Sequence, residues 1–460
     1  MRRTVWLFAI LLLPAVPTLA QTKAQSPAAA PAAATPGRVP VLTLPVALSP
    51  DLAAALAVQR STDLALAAQG IATAEGYLTQ AQAINSVTVT ASAGIVKTGP
   101  ETSFTLGTGA DARTVSLSSS LSQKESIAVS VPLYLGKRDR FAREAARAGV
   151  DAAGWSVETA KLAVAQAARQ AVFGLLRLQQ LSVVAQQQVT AVAEHLRIAN
   201  AMFEAGTAPR FEVVQAETNL AQAKGSAIQA QTAVSLIKAE IATLLNVPQG
   251  LDIPVEEGVP YQLPEGDMNQ LSAIALRERP ETKVLQAQVS AQEANVRLAQ
   301  ANSNPSVALE GTLNNQTESV AAAALNWSLS LGASWPLYQG GLTRGKVEVA
   351  QAALKSARLN LEKTSQQIAL EVTQALFQIQ DARQALEVAD QGETNARERA
   401  RIADVRFTNG VGLGVEVLDA QTALAAAQAQ VINARYNLQI AVVSLRSALG
   451  LVDLPKEPAP

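Results

Sequence analysis

Apolar positions return every seven residues along two stretches of this chain. One runs Val150, Val157, Val164, Ala171, Leu178, Ala185, Val192, Ala199, and the other Leu354, Leu361, Ile368, Ala375, Ala382, Ala389, Ala396, Ala403. Eight consecutive apolar positions, twice, with an interleaved row at Val372, Ile379 and Leu386, predict two long helices that pack as coiled coils do. Running from Gly136 and Gly340 to a glycine-containing joint, each helix would extend on the order of 100 Å at 1.5 Å per residue. Alanine dominates the seams, which lets neighbouring helices approach closely. The helices predicted after the joints, over 211–246 and 415–450, have only about half that length. Helices over 48–84 and 271–302 are expected to cover the remainder, stacked end to end with the returning ones.

Four other segments change period. "SVTVTASAGIV" (86–96) alternates Val87, Val89, Ala91, Ala93 and Ile95 with Thr88, Thr90, Ser92 and Gly94. "ESIAVSVPLY" sets Ile127, Val129, Val131 and Leu133 on one face, and "SVALEGTL" does the same with Val307, Leu309 and Leu313. "NWSLSLGASWPLY" places Trp327, Leu329, Leu331, Ala333, Trp335 and Leu337 opposite Ser328, Ser330, Gly332 and Ser334. One apolar and one small polar face over about ten residues is the pattern of a strand between lipid and water. Trp327 and Trp335 share the apolar face, and eight residues of tilted strand separate them by roughly 20 Å along a membrane normal. They fit the two interfaces of an apolar band. The intervening segments, 97–124 and 314–325, are expected as loops on the side away from the helices.

The joints themselves repeat. Phe203, Gly206, Glu212, Thr218 and Leu220 recur as Phe407, Gly410, Glu416, Thr422 and Leu424, always 204 positions on. The same offset holds from Pro132-Leu133-Tyr134 to Leu245, against Pro336-Leu337-Tyr338 to Leu449. A tandem repeat is therefore expected: 1–20 signal peptide, 21–46 Pro/Ala-rich linker, 47–248 first repeat, 249–267 equatorial linker, 268–452 second repeat, 453–460 tail. Four such strands cannot close on themselves, and lipid forbids an open edge, so several chains are expected to share one barrel.

Composition narrows the setting. The opening "MRRTVWLFAILLLPAVPTLAQT" sets two arginines before an apolar run too short for a bilayer and ending in small residues, which predicts a cleavable export signal. The chain has no cysteine, hence no disulfide, no thiolate chemistry and no attachment point for a bacterial lipid anchor. With 37 basic against 38 acidic residues, nothing points to nucleic acid.

The order helix, strand, strand, long helix, helix, given twice, comes with the turns "VPLYLGKRDR" and "WPLYQGGLTR" and the tips "FEAGTAPRFEVVQAETNLAQA" and "FTNGVGLGVEVLDAQTALAAA". In these features the chain resembles the TolC-like outer-membrane efflux protein family. The resemblance implies a mixed α and β membrane protein: a homotrimer with a 12-stranded outer-membrane β-barrel and a periplasmic α-helical coiled-coil barrel. It further implies docking on a periplasmic adaptor and an inner-membrane pump of the resistance-nodulation-division or ABC type, with no cofactor. The expected function is the exit duct of a tripartite efflux pump. The alternatives are a channel for type I protein secretion and a non-channel periplasmic coiled coil.

Matched position by position, the family's periplasmic gate carboxylates fall on Asp419 and Glu416, with Glu212 in the first repeat. A ring of carboxylates would narrow a pore and favour cations; at helix starts, as for Glu212 and Glu416, the helix dipole alone also accounts for them. Gly206 and Gly410 are read as left-handed helix caps. Gly206 and Thr207, with Gly410, Val411, Gly412, Leu413 and Gly414, are the adaptor-docking tip candidates. Val411 is expected either to pack back on the cap or to be displayed at the rim. His195, the single histidine, is expected on a helix surface, with no nucleophile, acid or metal-ligand partner to make an enzyme.

Overall fold

The computed structural model describes residues 47–97, 99, 103–109, 113–116, 121–259, 261–318, 321–409 and 411–451. The expected signal peptide, the Pro/Ala-rich stretch, the tail and Gly410 lie outside the described residues.

The helices are α1 (Pro50–Arg60), α2 (Thr62–Ala83), α3 (Arg138–Glu204), α4 (Arg210–Leu244), α5 (Met268–Glu278), α6 (Pro280–Ala301), α7 (Leu342–Thr408) and α8 (Gly414–Ala448). The two long helices, α3 and α7, have 67 residues each and the two returning helices 35 each. Each of these begins and ends 204 residues from its counterpart. In the half that carries the joints, α3 packs on α4 and α8, and α8 packs on α7, giving the lateral order α4, α3, α8, α7. In the other half α2 and α6 take those places, giving α2, α3, α6, α7. The short helices thus complete the length that the returning helices leave uncovered.

Each expected short helix is in fact two. At 48–84 the break is Ser61, whose N–H still bonds Ala57 O while its extended backbone (ψ 127°) ends α1. The Ser61 hydroxyl then accepts from Leu64 N and starts α2. At 271–302 the break is Arg279, held extended because Pro280 disfavours helical backbone in the residue before it. Asp267 and Gln270 form a reciprocal capping box at the start of α5.

The strands are β1 (Thr88–Lys97), β2 (Ser103–Leu106), β3 (Arg113–Ser116), β4 (Leu121–Tyr134), β5 (Ser306–Glu318) and β6 (Ala321–Ser334). β1, β4, β5 and β6 form one antiparallel sheet in that order, with β1 and β6 at its edges. The expected loops 97–124 and 314–325 are therefore partly strand: β5 extends to Glu318 and β6 starts at Ala321, and within the first segment β2 pairs with β3. The strand count among the described residues is thus six, four of them in the main sheet. Residue alternation weakens where Asn314, Asn315 and Gln316 succeed one another, which is why the sequence pattern stops short of the hydrogen-bonded ladder.

The join between sheet and helices is tight. Gly136 has φ +64°, and a Cβ there would lie 2.6 Å from Asn304 Cβ and 3.0 Å from Pro305 O. Only glycine fits, and Asn304 Nδ2 closes the contact by donating to Gly136 O at 2.8 Å.

Halfway along the helices the linker 249–267 is pinned to the bundle. Asp51 of α1 accepts from Arg169 Nε of α3 at 2.9 Å and from the Tyr261 hydroxyl at 2.7 Å. The Tyr436 hydroxyl of α8 donates to Glu257 at 2.6 Å. Burial, reinforced by the neighbouring carboxylates, pushes both phenols above their ordinary range, so they remain donors. Beside this belt lies an apolar cluster in which Leu271 and Ala275 of α5 meet Ile368, Val372 and Ile379 of α7 and Val442, Leu445 and Leu449 of α8 or just beyond it.

Candidate functional site

The α3–α4 joint closes as the sequence predicts. Gly206 has φ +74°, Gly206 N donates to Phe203 O at 2.9 Å and Thr207 N to Met202 O at 2.9 Å, the paired bonds of a Schellman cap. The Thr207 hydroxyl adds a second bond to Met202 O, and Pro209 supplies the extended residue before α4. In the α7–α8 joint the equivalent long bond runs from Val411 N to Arg406 O at 2.9 Å. Asn409 Nδ2 and the Thr408 hydroxyl both bond Val405 O.

The glycines of the second joint have separate reasons. A Cβ on Gly412 would lie 3.0 Å from Phe407 N and 3.1 Å from Arg406 C, both backbone atoms, so this residue lies directly on the last turn of α7. A Cβ on Gly414 would lie 3.0 Å from His195 Cε1 and 3.5 Å from a Phe407 ring atom. Val411 and Leu413, between them, are 69% and 65% exposed, so Val411 is displayed and does not pack back on the cap.

His195 is not on the helix surface. It is buried, with its ring 5.9 Å from that of Phe407 and against Gly414, so this side chain brings α3 into contact with the second joint. Burial lowers its pKa and Glu212, across on α4, partly offsets this. The position was legible: His195 comes three residues after Val192 of the heptad seam, at a place that faces a partner helix.

Glu416 pairs with Arg406 at 3.3 Å. With Asp419 they line a groove between α7 and α8, together with Asn395, Glu398, Arg399 and Ile402. Asp419 is exposed there, while Ala403, Val417 and Ala420 seal the helix contact beneath. Arg406 is the charge that sequence reasoning missed. Its counterpart 204 residues earlier is Met202, so the first joint has Glu212 but lacks that cation. The structure thus brings Glu416 and Asp419 into one groove and leaves Glu212 at the other joint, near His195.

On the sheet, Trp327 and Trp335 are 77% and 64% exposed, and Leu329 and Leu331 between them are exposed as well. Trp335 Nε1 donates to Ser303 O at 3.1 Å, which fixes that ring at the end of the strand nearest the helices. Among the described residues no helix is long and apolar enough to cross a membrane.

Paired 67-residue helices growing from a small antiparallel sheet define a mostly helical architecture of the kind seen in outer-membrane channels. The family model "Outer membrane efflux protein" matches residues 53–247 and 271–451, and the chain belongs to that family, whose members are TolC-like channel proteins and not enzymes. Nodulation protein T of Rhizobium leguminosarum bv. viciae is 24% identical over 391 residues, 81% of this chain and 78% of that one. The probable outer membrane lipoprotein SilC of Salmonella typhimurium is 24% identical over 245 residues, so the alignment spans about half of each chain, 52%. The crystal structure of the CmeC outer membrane channel of Campylobacter jejuni superposes with a TM-score of 0.73 at 19% identity, covering 89% of this chain and 87% of that one, a likeness of fold.

Proposed function

We propose that three copies of this chain assemble into the outer-membrane exit duct of a tripartite efflux pump. The observation that carries this is the four-stranded sheet with two open edges and an exposed apolar row, Leu325, Trp327, Leu329, Leu331 and Trp335. Keeping side chains such as Leu329 and Leu331 in water forfeits roughly 1.5–3 kcal/mol each relative to burying them. Lipid removes that cost but makes each unpaired edge amide cost several kcal/mol, so the edges must pair with other copies. β1 and β6 are different edges of one chain, so the contact is head to tail and closes as a ring. Three chains give 12 strands, in line with the family.

In this reading the repeats 47–248 and 268–452 are the two staves that each chain contributes, joined by the equatorial linker 249–267. The helices form a periplasmic tube, and the sheet end away from them, around Thr108, faces the exterior. Asp419 and Glu416, with Glu212 at the neighbouring joint, narrow the periplasmic end. The joints, with Gly206, Thr207 and 410–414, meet a periplasmic adaptor that links the duct to a pump in the inner membrane. The 1–20 segment directs export, and the barrel holds each chain in the membrane.

Native mass measurement on the detergent-extracted protein tests the assembly: three chains are expected, in a species whose gel mobility changes on heating. A stable monomer would overturn the architecture and the channel with it.

A further inference from the structure

Within the sheet, the cross-strand register separates two faces. Thr88, Ser130, Glu310 and Ser330 fall in one row across β1, β4, β5 and β6. The row beside it, toward the strand middles, is Thr90, Ala128, Thr312 and Ser328, and the next is Ser92, Ser126, Asn314 and Asn326. The Ser92 and Ser126 hydroxyls bond one another at 2.7 Å, as do those of Thr312 and Ser328. These positions alternate with the apolar ones that carry Trp327, Leu329 and Leu331, so they form the opposite face.

Glu310 is the one long side chain in its row. The other charged positions of that face among the described residues, Lys124 and Glu318, stand in backbone register with Gln316 and Ser122, toward the far ends of the strands. Glu310 is exposed, and the residues opposite it, Ser130 and Ser330, are small hydroxyls that bring no compensating charge. It lies four residues from the start of β5, about 10 Å from the helix end of the sheet for a tilted strand.

We propose that Glu310 sets the charge selectivity of the barrel, favouring cations over anions as they leave the helical tube. The inference rests on the trimeric channel proposed above. Closure places three Glu310 carboxylates on one level of a lumen otherwise lined there by threonine and serine. A ring of like charges in a water-filled passage with low-dielectric walls focuses its potential and raises the local concentration of counter-ions. Hydroxyls too short to reach the carboxylate leave that potential uncancelled. The site is separate from the Asp419 groove, which lies at the opposite end of the long helices.

Two measurements on the full-length trimer test it. On the natural cysteine-free background, Glu310→Cys is expected to react with an impermeant cationic methanethiosulfonate added to whole cells, and Leu309→Cys, on the apolar face, is not. The reverse labelling pattern would place Glu310 against lipid and overturn the proposal. In planar bilayers under a salt gradient, Glu310→Gln is expected to lower the cation-to-anion permeability ratio about threefold or more, the effect of removing on the order of one kT of focused potential. A ratio unchanged in Glu310→Gln but reduced in Asp419→Asn would assign selectivity to the periplasmic end and overturn it. A purified trimer that carries no current would instead sink the channel reading beneath it.

Discussion

His195 shows how one side chain brings the first long helix against the second joint. Its ring fills the space that Gly414 leaves empty and touches Phe407, so α3 and the α7–α8 joint share a packing contact. Burial favours the neutral imidazole and lowers its pKa, while the Glu212 carboxylate acts in the opposite direction. The folded pKa lies below the ordinary value of 6.5, so the unfolded chain binds the proton more readily. Stability from this contact is therefore complete above about 6.5 and declines as pH falls from there toward the folded pKa. Thermal unfolding in detergent, followed between neutral and mildly acidic pH, is expected to show that decline in the wild type and a flatter profile in His195→Gln. Equal slopes in the two proteins would remove His195 from the linkage. The sequence offered the heptad position of this residue, but not its partners, because Gly414 and Phe407 lie more than two hundred residues away.

At the scale of elements, the long helices were legible because an eight-member apolar seam admits one period only. The half-length returning helices then required end-to-end partners, and α2 and α6 occupy those places. The breaks at Ser61 and Arg279 carried local signals, a serine cap and a following proline, but an apolar pattern running through both outweighed them. The β2–β3 pair was illegible for another reason: Ser, Thr and Gly around β2 and β3 satisfy a strand or a loop alike. The second joint illustrates a similar division. Three glycines in five residues announced close approach, while only the structure separates Gly412, pressed on the backbone of α7, from Val411 and Leu413, which project. That separation decides how adaptor docking is tested. A side chain at Gly412 must displace Phe407 or Arg406 backbone, so its substitution disturbs the joint itself. Val411→Glu leaves the joint's bonds in place and is expected to abolish efflux in cells while trimer mass and heat-dependent mobility persist. Undiminished efflux in that variant would take Val411 out of the docking surface.

For the whole molecule, the decisive feature is what one chain leaves unfinished. Across the half that carries the joints the order α4, α3, α8, α7 ends on α7, whose Phe377 and Val388 are exposed, and on α4, whose Ile228 and Leu236 are exposed. Across the sheet the same two sides end in the unpaired edges of β6 and β1. The segment with α6, α7, β5 and β6 thus forms one flank from end to end and the segment with α2, α3, α4, β1 and β4 the other, so in the proposed ring a single rotation brings α7 and β6 of one copy against α4 and β1 of the next. An isologous two-fold dimer would pair one flank with its own copy and leave the other edge of both chains unpaired in lipid. Cysteines placed together at Gly94 on β1 and Ser328 on β6, both on the small-polar face, are therefore expected to be joined by a short bifunctional maleimide into dimers and trimers on denaturing gels. Either cysteine alone should yield monomers. Cross-linked dimers from a single-cysteine variant would mean that like edges meet, and the ring would have to be abandoned for a two-fold contact.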